Sequence, residues 1–221
     1  MTTSSLLQKI SVLAATSAIA VMATTGKASA TTFYLGNGLN LPQINSSFNY
    51  SEDGISLVAT GTQNSGASRN VYQSIFGLGV ANNNNIFNVV GNQIDGGTSL
   101  GETLKLTFTN TAVKLLSATF SRVGSNDSFK LLVDGNQFIA ADIPGGNFLD
   151  LDISKFTFSP SPTGTVFGFT VNDANDDYLV KYVEVEAVPE PASVLGLLAF
   201  GAMGAGSMIK RKQQQKAMVK A

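Results

Sequence analysis

The chain has 221 residues, a formal charge of −1, and no cysteine, histidine or tryptophan. Disulfides, thiol chemistry and Cys/His zinc sites are excluded, and the commonest general base and the strongest sugar-stacking ring are missing. All 15 acidic residues lie between Glu52 and Glu190, an interval holding only seven of the 14 basic ones, so that stretch carries −8 and makes a poor partner for nucleic acid.

The N-terminus reads as a processing segment. Lys9 is followed by the apolar run Ile10 to Ala23 and then by the small residues Ala28-Ser29-Ala30. That order is a secretory signal peptide over residues 1–30, with signal peptidase expected to cut after Ala30.

Residues 31–187 follow as one exported domain, long enough for its own core. Alternating apolar positions predict strands along its whole length. Ile55, Leu57 and Ala59 follow the turn signal Asp53-Gly54. Leu104, Leu106 and Phe108 alternate with Lys105 and Thr107. Phe129, Leu131 and Val133 run into a second turn signal, Asp134-Gly135. Leu149, Leu151 and Ile153 alternate with Asp150 and Asp152. Phe167, Phe169 and Val171 form a further run, and Tyr178 to Glu186 is β-branched and aromatic. Clusters such as Asn82 to Asn85, Gly96-Gly97, Gly145-Gly146 and Ser159 to Gly164 separate these runs. The pattern predicts an all-β protein, an antiparallel β-sandwich of jelly-roll-like form.

Few residues offer chemistry. Ser65-Gly66-Ala67-Ser68 has no histidine base. Asp127 and Asp134 flank a strand and read as turn residues. Asp150 and Asp152 lie on one strand face about 7 Å apart, a separation compatible with an acid pair for polysaccharide hydrolysis. Their alternation with leucines makes them the solvent side of a strand instead. Asp173, Asn175, Asp177 and Glu184 imitate calcium-loop spacing, but Tyr178 stands where such a loop needs glycine. Calcium held by these carboxylates and backbone carbonyls stays open, with no metal ligand or catalytic residue assigned. Tyr34, Tyr50, Tyr72, Tyr178 and Tyr182 could stack on sugars, yet their strand period favours packing.

The sorting segment spans residues 188–212. Val188-Pro189-Glu190-Pro191 cannot continue a central strand. Ser193 to Ile209 has no charge and spans about 25 Å as a helix, just under the ~30 Å hydrocarbon core. Lys210, Arg211 and Lys212 form a basic stop that places residues 213–221 in the cytoplasm.

This tail resembles the PEP-CTERM sorting domain of bacterial exported proteins, through Val188-Pro189-Glu190-Pro191-Ala192-Ser193, the apolar stretch to Ile209 and Lys210-Arg211-Lys212. The resemblance implies recognition of Pro189, Glu190 and Pro191 by a membrane enzyme of the exosortase type. The helix would be removed there, and the mature form released to the cell surface or an exopolysaccharide matrix. The domain is similar to β-sandwiches carried by such proteins. Together these readings predict a non-enzyme, a surface or matrix protein whose sandwich binds glycan. The alternatives are a carboxylate-pair polysaccharide hydrolase and a permanently membrane-anchored structural protein.

Overall fold

The computed structural model describes residues 29–97, 101–145 and 154–189. Sixteen strands occur there. β1 (Ala30–Tyr34), β2 (Gln43–Asn45), β3 (Ser47–Glu52), β4 (Ile55–Gln63) and β5 (Ser68–Arg69) come first. Next are β6 (Val71–Ser74), β7 (Gly77–Val80), β8 (Ile94–Asp95), β9 (Glu102–Phe108) and β10 (Val113–Ser121). The last are β11 (Ser128–Val133), β12 (Asn136–Asp142), β13 (Ser154–Thr157), β14 (Thr163–Gly164), β15 (Val166–Val171) and β16 (Asp177–Ala187). Among the described residues the one helical turn is a 3-10 turn at Val90–Asn92.

The strands form two antiparallel sheets. The first runs β13-β10-β16-β7-β6-β2, with β1 and β8 also on β16 and β14 on β10. The second runs β12-β11-β15-β9-β4-β3, with β5 on β4. The predicted runs at Ile55, Leu104, Phe129, Phe167 and Tyr178 are β4, β9, β11, β15 and β16. The predicted Leu149–Ile153 strand lies outside the described residues, as do Asp150 and Asp152.

Both Asp-Gly signals make hairpins. Asp53 and Gly54 have φ of 49° and 78°, and Asp134 and Gly135 have 48° and 87°. Positive φ at both central residues suits the right-handed twist of the flanking strands.

The inner faces close on an apolar core. Phe120 of β10 and Phe129 of β11 meet across the sheets with ring centroids 4.9 Å apart. Phe169 and Tyr178 stand edge-on to Phe120, at 5.9 and 5.2 Å. Phe33, Phe108 and Phe167 form a second aromatic row. A smaller cluster of Tyr72, Ala81 and Leu179 lies apart from the main core, with Ile44, Phe76 and Val89 packed against it.

Candidate functional site

The end of the sandwich where the chain enters and leaves is built by one strand pair. β1 and β16 run antiparallel in the register Ala30↔Glu186 to Tyr34↔Tyr182. Ala30, the predicted last residue of the signal peptide, therefore lies beside the end of the last strand, and it is exposed. Thr31 is buried, and its hydroxyl donates to Asp53 Oδ2 at 3.2 Å. Past β16 the backbone is held for one more residue. Val188 N–H donates to Ala112 O at 2.9 Å, and Thr111 Oγ1 donates to Val188 O at 3.3 Å. Pro189 follows, exposed.

Glu190, Pro191, Lys210, Arg211, Lys212 and Ala28 lie outside the described residues. So do most of the predicted signal peptide and the whole 193–209 span. No helix among the described residues is long and apolar enough to cross a membrane.

The opposite end gathers carboxylates. Asp176 is fully buried and accepts four bonds: from Ser128 N (3.0 Å), Ser128 Oγ (2.9 Å), Asn172 N (3.1 Å) and Asp173 N (2.6 Å). Asp127 accepts from Gly124 N. Asp177 accepts from Gln93 Nε2 at 2.8 Å. Burial pushes the carboxyls of Asp127 and Asp177 above their usual range; the Asp176 charge raises Asp127 further, and the Asp127 and Asp95 charges raise Asp177. These groups fasten loops to strand ends. Glu184, the fourth member of the calcium-like spacing, sits elsewhere, on the outer face of the first sheet. Lys155 Nζ donates to it at 3.1 Å and Ser117 Oγ at 3.0 Å, which together hold its carboxyl below the usual range. No group of three metal-ligating side chains occurs among the described residues.

Glu102 belongs to this end and is 7% exposed. Its Oε2 accepts from Asp95 N at 3.3 Å, and burial pushes its pKa up to about 7. An acid with a raised folded pKa binds its proton more tightly when folded. Its contribution to stability is therefore full below the unfolded value of 4.5 and is lost as pH rises through about 7. Glu102→Gln should flatten this dependence and raise stability at pH 8 by about 1–3 kcal/mol. Urea unfolding at pH 5 and pH 8 checks it, and equal slopes in both proteins would refute it.

The tyrosines do not form a stacking surface. Tyr72 and Tyr178 are fully buried. Tyr178 donates to Thr170 O at 2.8 Å, and Tyr50 donates to Leu35 O at 2.9 Å. Tyr34 and Tyr182 lean on each other with centroids 5.2 Å apart.

Polar clefts instead open beside β4, where β3 and β5 succeed each other along one edge. Ser47 pairs with Thr60, and Arg69 pairs with Gly61. One cleft of about 340 Å³ is lined there by Thr60, Thr62, Arg69, Asn70 and Lys105, among others. A second of about 340 Å³ shares Ser68, Arg69 and Asn70 and is walled by Asn82, Asn83 and Asn84. Asn92, fully buried, fixes that wall: its Oδ1 accepts from Asn82 N at 3.2 Å, and its Nδ2 donates to Asn85 O at 2.9 Å. A third cleft of about 560 Å³ includes Asn64, Lys130, Asn172 and Asp173. The sequence marked the asparagines as a turn and missed the clefts, because only strand pairing sets β5 and β9 on either side of β4.

A family model described as the PEP-CTERM protein-sorting motif matches residues 187–212. The match begins at the last residue of β16. The chain thus carries this sorting motif, which implies export, a membrane-anchored precursor and processing by an exosortase membrane enzyme. No curated protein matches the chain.

Proposed function

We propose that the chain is an exported bacterial surface or extracellular-matrix protein that an exosortase-type enzyme cuts at Pro189-Glu190-Pro191. The mature form is a non-catalytic, jelly-roll-like sandwich of residues 31–187 that binds glycan, with exopolysaccharide as its partner. One observation carries the sorting part. The motif begins where the last strand ends, and the last backbone bond to the sandwich among the described residues is made by Val188.

Two prolines leave the segment extended and short of two amide donors, so a protease groove can take it without disturbing a strand. Lys210, Arg211 and Lys212 hold the helix of residues 193–209 in place until then, with the remaining tail on the cytoplasmic side. Signal peptidase removes residues 1–30, reading Ala28 and Ala30 as its small side chains. The chain of about four residues between Val188 and Ser193 reaches roughly 15 Å, so the sandwich waits close to the bilayer surface. The polar clefts support the glycan-binding part, since hydroxyl and amide linings suit sugar hydroxyls.

Mass spectrometry of the protein from the producing cell tests this. The expected mature chain starts at Thr31 and ends between Val188 and Ser193. A chain still ending at Ala221 would overturn the processing, and the protein would then be a permanent membrane anchor.

A further inference from the structure

Six large apolar side chains are exposed among the described residues: Leu39, Leu41, Ile75, Phe87, Val90 and Phe138. The first five gather at the β2–β6 edge of the first sheet. Residues beside them show it, because Ile44, Phe76 and Val89 all pack on the Tyr72, Ala81 and Leu179 cluster. The register agrees: Gln43 pairs with Gln73 in antiparallel sense, and continuing that run sets Leu41 beside Ile75. Residues 35–51 and 70–94, which build this edge, contain no charged side chain. An exposed apolar patch without charge marks a contact with protein or membrane.

The tip of this edge is preformed. Gly38 turns the chain with φ of 62°. Asn37 Nδ2 donates to Leu41 O at 2.7 Å, Asn40 Nδ2 donates to Asn37 O at 2.8 Å, and Asn37 N donates to Ser74 O at 3.1 Å. Leu39, 97% exposed, is thus held out in water by a built loop. Little ordering is left for a contact to bring about.

The tether of the chain decides which partner is at hand. Tyr34 donates to Ile75 O at 3.1 Å and pairs with Tyr182. The edge therefore begins about 20 Å along β16 from Val188. β7 is antiparallel to β16, so the turn from Ser74 to Gly77 points the same way as Val188. The segment from Val188 to Ser193 reaches roughly 15 Å. A sandwich tilted toward β2 brings Leu39 and Leu41 to the bilayer surface within that reach. Tethering keeps the surface at high effective concentration, so a few side chains suffice.

We infer that in the anchored precursor this edge rests on the lipid surface, with Leu39 and Leu41 at the boundary of headgroups and acyl chains. Once the tail is cut the second attachment is gone, and a contact this small no longer holds the sandwich at the membrane. The inference rests on the anchored-precursor reading for the nearness of the bilayer, and on the edge for the contact.

The chain has no tryptophan, so Leu39→Trp supplies a single fluorescent reporter. Phe138→Trp is its control, on β12 at the far edge of the second sheet. Each full-length variant is reconstituted in vesicles of phosphatidylethanolamine and phosphatidylglycerol, with ordinary or brominated acyl chains. Emission of Leu39→Trp should shift to the blue and lose intensity to the bromine, while that of Phe138→Trp keeps its intensity. Emission of Leu39→Trp at the wavelength of a water-exposed ring, unquenched, would overturn the contact and leave the anchor standing. A blue shift without quenching would seat a second copy of the chain on the edge and overturn the lipid assignment. Equal quenching of both variants would overturn the choice of edge. A chain that does not float with the vesicles would overturn the anchored precursor itself, and this inference with it.

Discussion

Asp176→Ala is expected to cost the domain about 3–5 kcal/mol, a large share of the 5–15 kcal/mol by which single domains are stable. The carboxylate accepts from Ser128 N, Ser128 Oγ, Asn172 N and Asp173 N while fully buried. Truncation removes one partner from four donors, and a buried donor left unsatisfied costs about 1–3 kcal/mol. The four do not simply add, because water enters part of the space. Asp176→Asn keeps one acceptor oxygen and should lose about half as much. Urea unfolding measures both. An alanine variant within about 1 kcal/mol of the parent would show that Asp176 does not hold the β11 start to the β15–β16 loop.

The second large effect lies in the aromatic core. Phe129→Ala should destabilise by about 3–5 kcal/mol, the range for emptying a buried phenylalanine site. Phe129 is fully buried, with ring centroids 4.9 Å from both Phe120 and Phe156. Phe120 belongs to β10 of the first sheet and Phe129 to β11 of the second, so the pair joins the two layers. Phe120→Ala combined with Phe129→Ala should therefore be non-additive by about 0.5–3 kcal/mol. Strict additivity in a double-mutant cycle would separate the two rings energetically and refute the joint role.

The strands that sequence reveals and those it hides differ in their burial. β4 and β9 have one covered face and one open one, and their alternation is plain. β10 is obscured by two irregularities in its pairing with β16, between Leu115 and Ser117 and between Thr119 and Phe120. The first puts an extra residue, Leu116, in β10 and exchanges its inward and outward positions; the second puts the extra residue, Lys181, in β16 and does the same to that strand. β6 and β7 are buried at every residue. They show no alternation, because the Tyr72, Ala81 and Leu179 cluster covers what would be an open side.

The sites divide in a similar way. The sorting segment is legible because a linear motif carries its whole meaning in adjacent residues. The clefts beside β5 depend on β5, β4 and β9 lying side by side, and no local pattern encodes that. Asp176 is one acid among several in Asn172-Asp173-Ala174-Asn175-Asp176-Asp177. Composition gives no sign of which one turns inward.

The pairing of β1 with β16 also sets how the molecule bears load. β16 is eleven residues long and is bonded to β10 along one edge and to β8, β7 and β1 along the other. While the sorting tail anchors the precursor, a pull on Val188 along the axis of β16 loads that strand lengthwise against β10 and β7. That geometry shears the strand against its neighbours, and many ladder bonds resist together. Tension between Thr31 and Val188 acts on the same β1–β16 pair from one end and unzips it bond by bond. The same fold is therefore stiff toward a lengthwise pull on its tether and soft toward separation of Thr31 from Val188.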